Sequence, residues 1–159
     1  MKRGLVIGKF LPLHIGHMAL IGYALEHCDE LEVVIGASDD EPIPGEVRLE
    51  WLKQTYAGDS RVKPILLSYD EAMLPGADSI ENMSRLWASY LKKNLPRIDV
   101  IFASESYGAY MSRFLDCESV IYEEPCKVVP VAAARIREEP ALYAHLIPEA
   151  VREYYKVQV

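Results

Sequence analysis

Ten residues near the start of the chain, Gly8-Lys9-Phe10-Leu11-Pro12-Leu13-His14-Ile15-Gly16-His17, hold the groups best suited to chemistry. Two imidazoles three residues apart, a lysine and two glycines stand directly behind Gly4–Gly8, an apolar run that reads as a buried first strand. After them, Leu20, Ile21, Ala24, Leu25 and Cys28 fall at helical spacing across Met18 to Cys28, and Gly16 and His17 read as the helix's first residues. In a strand–loop–helix of this kind, unpaired N–H groups and the positive end of the helix dipole face the space above the strand. Gly8 and Gly16 let a ligand approach the backbone closely, and the natural occupant is a phosphate. Lys9 adds a fixed positive charge. A lone histidine would read as a surface imidazole and Pro12 as a turn residue. The full spacing after a strand favours a phosphate-handling loop.

The elements that must position this loop follow from the rest of the chain. Leu31–Ala37 reads as a second strand buried on both faces, and Ser38–Gly45 as a polar, proline-interrupted loop. A helix is expected from about Glu46 to Tyr56, with Val47, Trp51, Leu52 and Thr55 on one side. Arg61–Leu67 gives a third strand, which Pro64 assigns to an edge. Ser68–Asp78 reads as a loop. Ser79 then caps a helix to about Asn94 with the stripe Ile80, Met83, Trp87, Tyr90 and Leu91. Asp99–Ala103 is a fourth strand, Ser104 caps a helix carrying Tyr107, Tyr110, Met111, Phe114 and Leu115, and Ser119–Tyr122 is a fifth strand. Pro130–Glu139 reads as a loop entering a short helix, and Pro148 as the first position of the last one. Strands alternating with helices imply an α/β fold: a Rossmann-like parallel sheet with helices on both faces. Ligands then bind beyond the C-terminal strand ends, where the strand order reverses.

Composition narrows the function classes. The 159 residues fit one domain, half of them apolar and 26% charged. Lys plus Arg is 17 against 24 for Asp plus Glu, a formal net charge of −7 with no basic block, which argues against nucleic acid as a partner. An anionic substrate must therefore be met by a local cluster. Cys28, Cys117 and Cys126 form no C-x-x-C pair and read as free thiols of a reducing cytoplasm. No run is long enough to span a membrane, so the expected location is cytoplasmic and no membrane partner is expected.

With the loops placed, the chain resembles the nucleotidyltransferase superfamily, whose H-x-G-H motif is shared with class I aminoacyl-tRNA synthetases. More narrowly it is similar to the adenylyltransferase domain of the bifunctional nicotinamide-nucleotide adenylyltransferase/ribosylnicotinamide kinase family. The matching pieces, in order, are the Gly8–His17 motif, Gly45-Glu46-Val47-Arg48-Leu49-Glu50-Trp51-Leu52, Trp87, Ser104-Glu105-x-Tyr107-Gly108 and Arg135-Ile136-Arg137-Glu138-x-Pro140. The resemblance implies transfer of AMP from ATP to nicotinamide mononucleotide, giving NAD and pyrophosphate, with Mg²⁺ carried by ATP and no protein-held metal. It implies that Lys9, His14, His17 and Arg137 act on the phosphates, the first three in agreement with the helix-start argument. Gly8, Phe10, Gly16, Arg48, Trp87, Ser104, Glu105, Tyr107, Ala132 and Arg135 are its further nucleotide-binding positions. Self-association into a homo-oligomer is left open.

The residues keep plainer readings beside the family ones. Trp87 also fits the core stripe of its helix, Ser104 a helix cap, Glu105 ordinary first-turn chemistry and Arg48 a solvated charge. The reaction needs no general base, because a phosphomonoester is largely deprotonated near neutral pH, its second pKa being about 6. The chain departs from the family at Ala132 and Ala134, where the family has a serine and a threonine ahead of the last arginine. Two lost hydrogen bonds to a charged group cost about 3–6 kcal/mol if uncompensated. The other departure is the absence of a G-x-x-x-x-G-K-[ST] motif, so residues 1–159 are expected to be one nucleotidyltransferase domain without the kinase domain. The competing readings are transfer to another phosphomonoester and a non-catalytic nucleotide-sensing domain.

Overall fold

Five short strands form one parallel sheet. The computed structural model describes residues 1–38, 40–68, 80–104, 107–123, 129 and 131–159, and of 80–83 and 107 the backbone alone. The strands are β1 (Arg3–Gly8), β2 (Glu30–Ala37), β3 (Val62–Ser68), β4 (Val100–Ala103) and β5 (Glu118–Ile121), in the order β3-β2-β1-β4-β5 with every pairing parallel. Pro64 lies on β3, an edge strand, where its missing N–H disturbs the ladder least. The helices are α1 (Ile15–Leu25), α2 (Gly45–Thr55), α3 (Ile80–Asn94), α4 (Tyr107–Leu115), α5 (Ala133–Glu138) and α6 (Glu149–Tyr155), with a 3₁₀ turn at Ala144–Leu146.

The sheet is covered on both faces, which is why its central strands read as continuous apolar runs. Side chains alternate along each strand. Val6, Val33, Ile35, Val100 and Phe102 join Leu20, Ile21, Trp51, Leu52, Ile136 and Val151 in one core. Leu5, Val34, Leu67 and Ile101 join Leu91 and Met111 from α3 and α4 in the other. The α/β Rossmann-like architecture expected from the pattern is the one observed. Its strand order reverses between β1 and β4, so the crevice lies above Gly8 and Ala103.

Several element ends differ from expectation. Helix α1 starts at Ile15, one residue before the expected Gly16, and ends at Leu25, so Cys28 lies beyond it. Helix α4 runs from Tyr107, and residues 105–106, on which the expected Ser104 cap depends, lie outside the described residues. Helix α5 falls inside the stretch read as a loop, and Pro148 is the N-cap of α6 rather than its first helical residue. The expected loop around Pro75-Gly76, the Ser79 cap, Glu105, Cys126 and Pro130 lie outside the described residues. Among the described residues, no helix is long and apolar enough to cross a membrane.

Candidate active site

His14 closes the loop after β1 in extended backbone and caps α1 with its side chain. Its Nδ1 accepts the N–H groups of Gly16 at 3.1 Å and His17 at 3.4 Å, while the Nδ1 of His17 accepts the N–H of His14 at 3.2 Å. This reciprocal arrangement is a capping box made of two histidines. The rings stack, with centroids 3.7 Å apart and planes 19° from parallel. Phe10, at φ 53° and buried, meets His17 edge-on with centroids 4.7 Å apart. It thus braces the histidine from beneath. Gly8 lies against the Phe10 ring, since a Cβ there would stand 3.3 Å from it.

The capping box decides the tautomer. A ring nitrogen that accepts an N–H carries no proton, so each neutral imidazole holds its proton on Nε2. Burial lowers the pKa of His14 from 6.5 to about 4. Burial, with His14 alongside, holds His17 well below the usual range too. The pair is therefore two neutral Nε2–H donors at the sheet's switch point. This corrects the expectation that backbone N–H groups at the helix start meet the phosphate. Those of His14, Gly16 and His17 are already taken by the imidazoles.

Two arginines hold the loop's carbonyls. Arg48 Nη1 donates to the Lys9 carbonyl at 2.9 Å, and Arg137 Nη1 donates to the Leu11 carbonyl at 2.5 Å. Arg48 is fully buried, which overturns its reading as a solvated charge. Its Nη2 reaches Glu41 at 3.0 Å. Glu41 also accepts the Ser38 N–H at 2.8 Å and pairs with the Lys9 ammonium. Burial pushes the Glu41 carboxyl up, but bonds from Lys9, Ser38 and Arg48 outweigh it and keep the group below its ordinary value. Sequence reasoning missed Glu41. The available signal was an acidic residue in the loop after β2, at the ligand-binding edge of the sheet.

The remaining expected positions divide. Trp87 is half-buried, packs against the α3–α4 core and lies against Gly36 near the end of β2, where a Cβ would be 3.0 Å from the indole. Ser104 follows β4 directly at the crevice. Gly108 of the same motif serves packing, since a Cβ there would be 2.8 Å from that of Ala103. Of Tyr107 the backbone alone is described, as the first residue of α4. Ala132 is the N-cap of α5 and supplies no side-chain bond to it. Arg135 is exposed and pairs with Glu138 at 3.6 Å on its own helix and with Glu139, the C-cap, at 3.1 Å, not with the histidine pair.

No family model matches the chain. A nicotinamide-nucleotide adenylyltransferase of Thermococcus onnurineus is 27% identical over 165 residues, covering 98% of this chain and 82% of that protein. The trifunctional NAD biosynthesis/regulator protein NadR of Escherichia coli is 30% identical over 171 residues, 96% of this chain and 40% of NadR. The chain is thus similar to nucleotidyltransferase-superfamily domains of the nicotinamide-nucleotide adenylyltransferase type. A solved NadR structure in complex with NAD and AMP-PNP shares the domain's fold at a TM-score of 0.69 and 19% identity, over 95% of this chain and 46% of that one. The chain thus spans less than half the length of both NadR chains. Its H-x-G-H histidines are the two that cap α1.

Proposed function

We propose that this domain is a nicotinamide-nucleotide adenylyltransferase, joining nicotinamide mononucleotide to the AMP half of Mg·ATP to give NAD and pyrophosphate. The observation that carries the reading is the stacked His14–His17 pair, two Nε2–H donors fixed at the switch point of the sheet. The names of the relatives supply the acceptor.

The chemistry asks little of the protein beyond position and charge. A phosphate oxygen of the mononucleotide attacks the α-phosphorus of ATP, the bond from that phosphorus to the bridging oxygen breaks, and pyrophosphate leaves with the electron pair. In this reading His14 and His17 donate Nε2–H bonds to the ATP phosphates, and Lys9 neutralises charge beside them. Neutral donors suit the task, because a neutral imidazole N–H is far less acidic than an imidazolium and binds developing charge without giving its proton to the leaving group. Arg48 and Arg137 shape the loop by holding the carbonyls on either side of Phe10. Trp87, on the β2 side of the same edge, offers the exposed part of its indole to a nicotinamide ring. Mg²⁺ enters as part of the ATP substrate.

Product identification after incubation with Mg·ATP and a panel of phosphomonoesters tests the proposal. NAD and pyrophosphate should form from nicotinamide mononucleotide in preference to products of phosphopantetheine or of sugar and polyol phosphates. Turnover of another member alone would reassign the acceptor. Binding of ATP with no turnover of any would favour the sensing domain, the reading that the uncapped start of α5 favours.

A further inference from the structure

Lys9 is held at both ends. Arg48 binds its carbonyl at 2.9 Å, and Glu41 binds its ammonium. The three charges differ sharply in exposure: the side chain of Arg48 is 0% exposed, that of Glu41 10% and that of Lys9 53%. The carboxylate is thus rooted in the protein while the ammonium reaches outward on a flexible four-carbon stem. Glu41 would also not be orphaned if Lys9 left. The Arg48 guanidinium and the Ser38 N–H would still satisfy one of its oxygens.

We propose that Glu41 is a positioning residue that exchanges Lys9 with the substrate phosphates: it holds the ammonium at the loop when the site is empty, yields it to the polyphosphate, and takes it back as pyrophosphate leaves. The proposal rests on the adenylyltransferase reading and deepens it. A site lined by cations alone would bind substrate and product polyphosphate alike, and such uniform binding slows release without helping the chemical step. A carboxylate waiting for the lysine lowers the affinity for both polyphosphates by the worth of the ion pair. Arg48 makes the exchange one-sided. Fully buried and bonded to both Lys9 and Glu41, it stays in place, so the lysine is the cation that moves.

The test uses inorganic tripolyphosphate and ATP as probes, with binding followed by calorimetry. Glu41→Gln keeps an amide oxygen for Arg48 and Ser38 and removes a charge that competes for Lys9. It should bind tripolyphosphate roughly threefold to tenfold more tightly than wild type. Pyrophosphate should become a stronger inhibitor by a similar factor. In a Lys9→Ala background the same change should tighten binding much less, an outcome that a merely structural Glu41 would not give. Equal or weaker binding by Glu41→Gln overturns the proposal, as does an equal gain without Lys9. If that variant does not fold, the wild type still decides. With its lysines ¹³C-methylated, the Lys9 resonance, assigned by its loss in Lys9→Ala, should move when tripolyphosphate is added, and a resonance that stays put overturns the exchange. If folded wild type binds neither ATP nor tripolyphosphate, the adenylyltransferase reading falls too. If it binds both while Glu41→Gln binds no tighter, the exchange alone falls.

Discussion

His14 and His17 each use Nδ1 for the fold, and in the proposed reading each presents Nε2–H to the phosphates. The two uses can be separated by substitution. Asparagine is a good helix N-cap, and its side-chain oxygen accepts the bond that Nδ1 accepts, but it has nothing at the place of Nε2. His14→Asn is therefore expected to keep its melting temperature close to wild type while kcat falls on the order of a hundredfold. His14→Ala should lose the cap as well, at about 1 kcal/mol of stability. Equal kcat in wild type and His14→Asn would show that the imidazole is only a cap. Arg48 answers a different question. Removing a fully buried guanidinium from its carboxylate, as in Arg48→Met, is expected to cost roughly 3–5 kcal/mol, read from urea denaturation. A loss under 1 kcal/mol would mean that the pair with Glu41 contributes little to the fold.

Helix α5 begins without a side-chain cap, since Ala132 occupies the N-cap position with extended backbone. Ala132→Ser should therefore stabilise the protein by about 1 kcal/mol whether or not nucleotide is present. Adding Ala134→Thr tests the phosphate role that the family pattern implies. A tighter ATP dissociation constant in the double variant assigns the hydroxyls to phosphate. A higher melting temperature with unchanged ATP affinity assigns them to the helix. Helix α3 sets Trp87 half in the core and half at the sheet's edge. Trp87→Ala is accordingly expected to raise the KM for nicotinamide mononucleotide and lower the melting temperature together. A thermal effect alone would remove the indole from the site.

Taken as a whole, the molecule should lose stability in mild acid. Between about pH 6.5 and about 4 the unfolded chain binds a proton at His14 that the folded chain does not, so stability falls as pH drops through that window. Thermal melts from pH 7 to pH 4.5 should show the decline, and His14→Asn should flatten part of it. An unchanged pH profile in that variant would mean that His14 titrates normally in the folded state. The fold itself was legible in the chain, because strands covered on both faces read as apolar runs and Pro64 marks an edge. The histidine loop was legible as well, from its spacing. The start of α1 was legible to within one residue, but its cap was not, since a histidine cap has no signature in helix propensity. Nor was the burial of Arg48, whose partners Glu41 and the Lys9 carbonyl come from 7 and 39 residues away. Charge on a helix is ordinarily solvated, and only the tertiary fold reveals the exception. Steady-state formation of NAD from Mg·ATP and nicotinamide mononucleotide by folded wild type and folded His17→Ala, measured side by side, puts the whole reading at risk. Wild type should yield NAD and pyrophosphate one for one, and His17→Ala should be slower by about a hundredfold or more. No NAD from wild type, or equal rates from the two proteins, would contradict it.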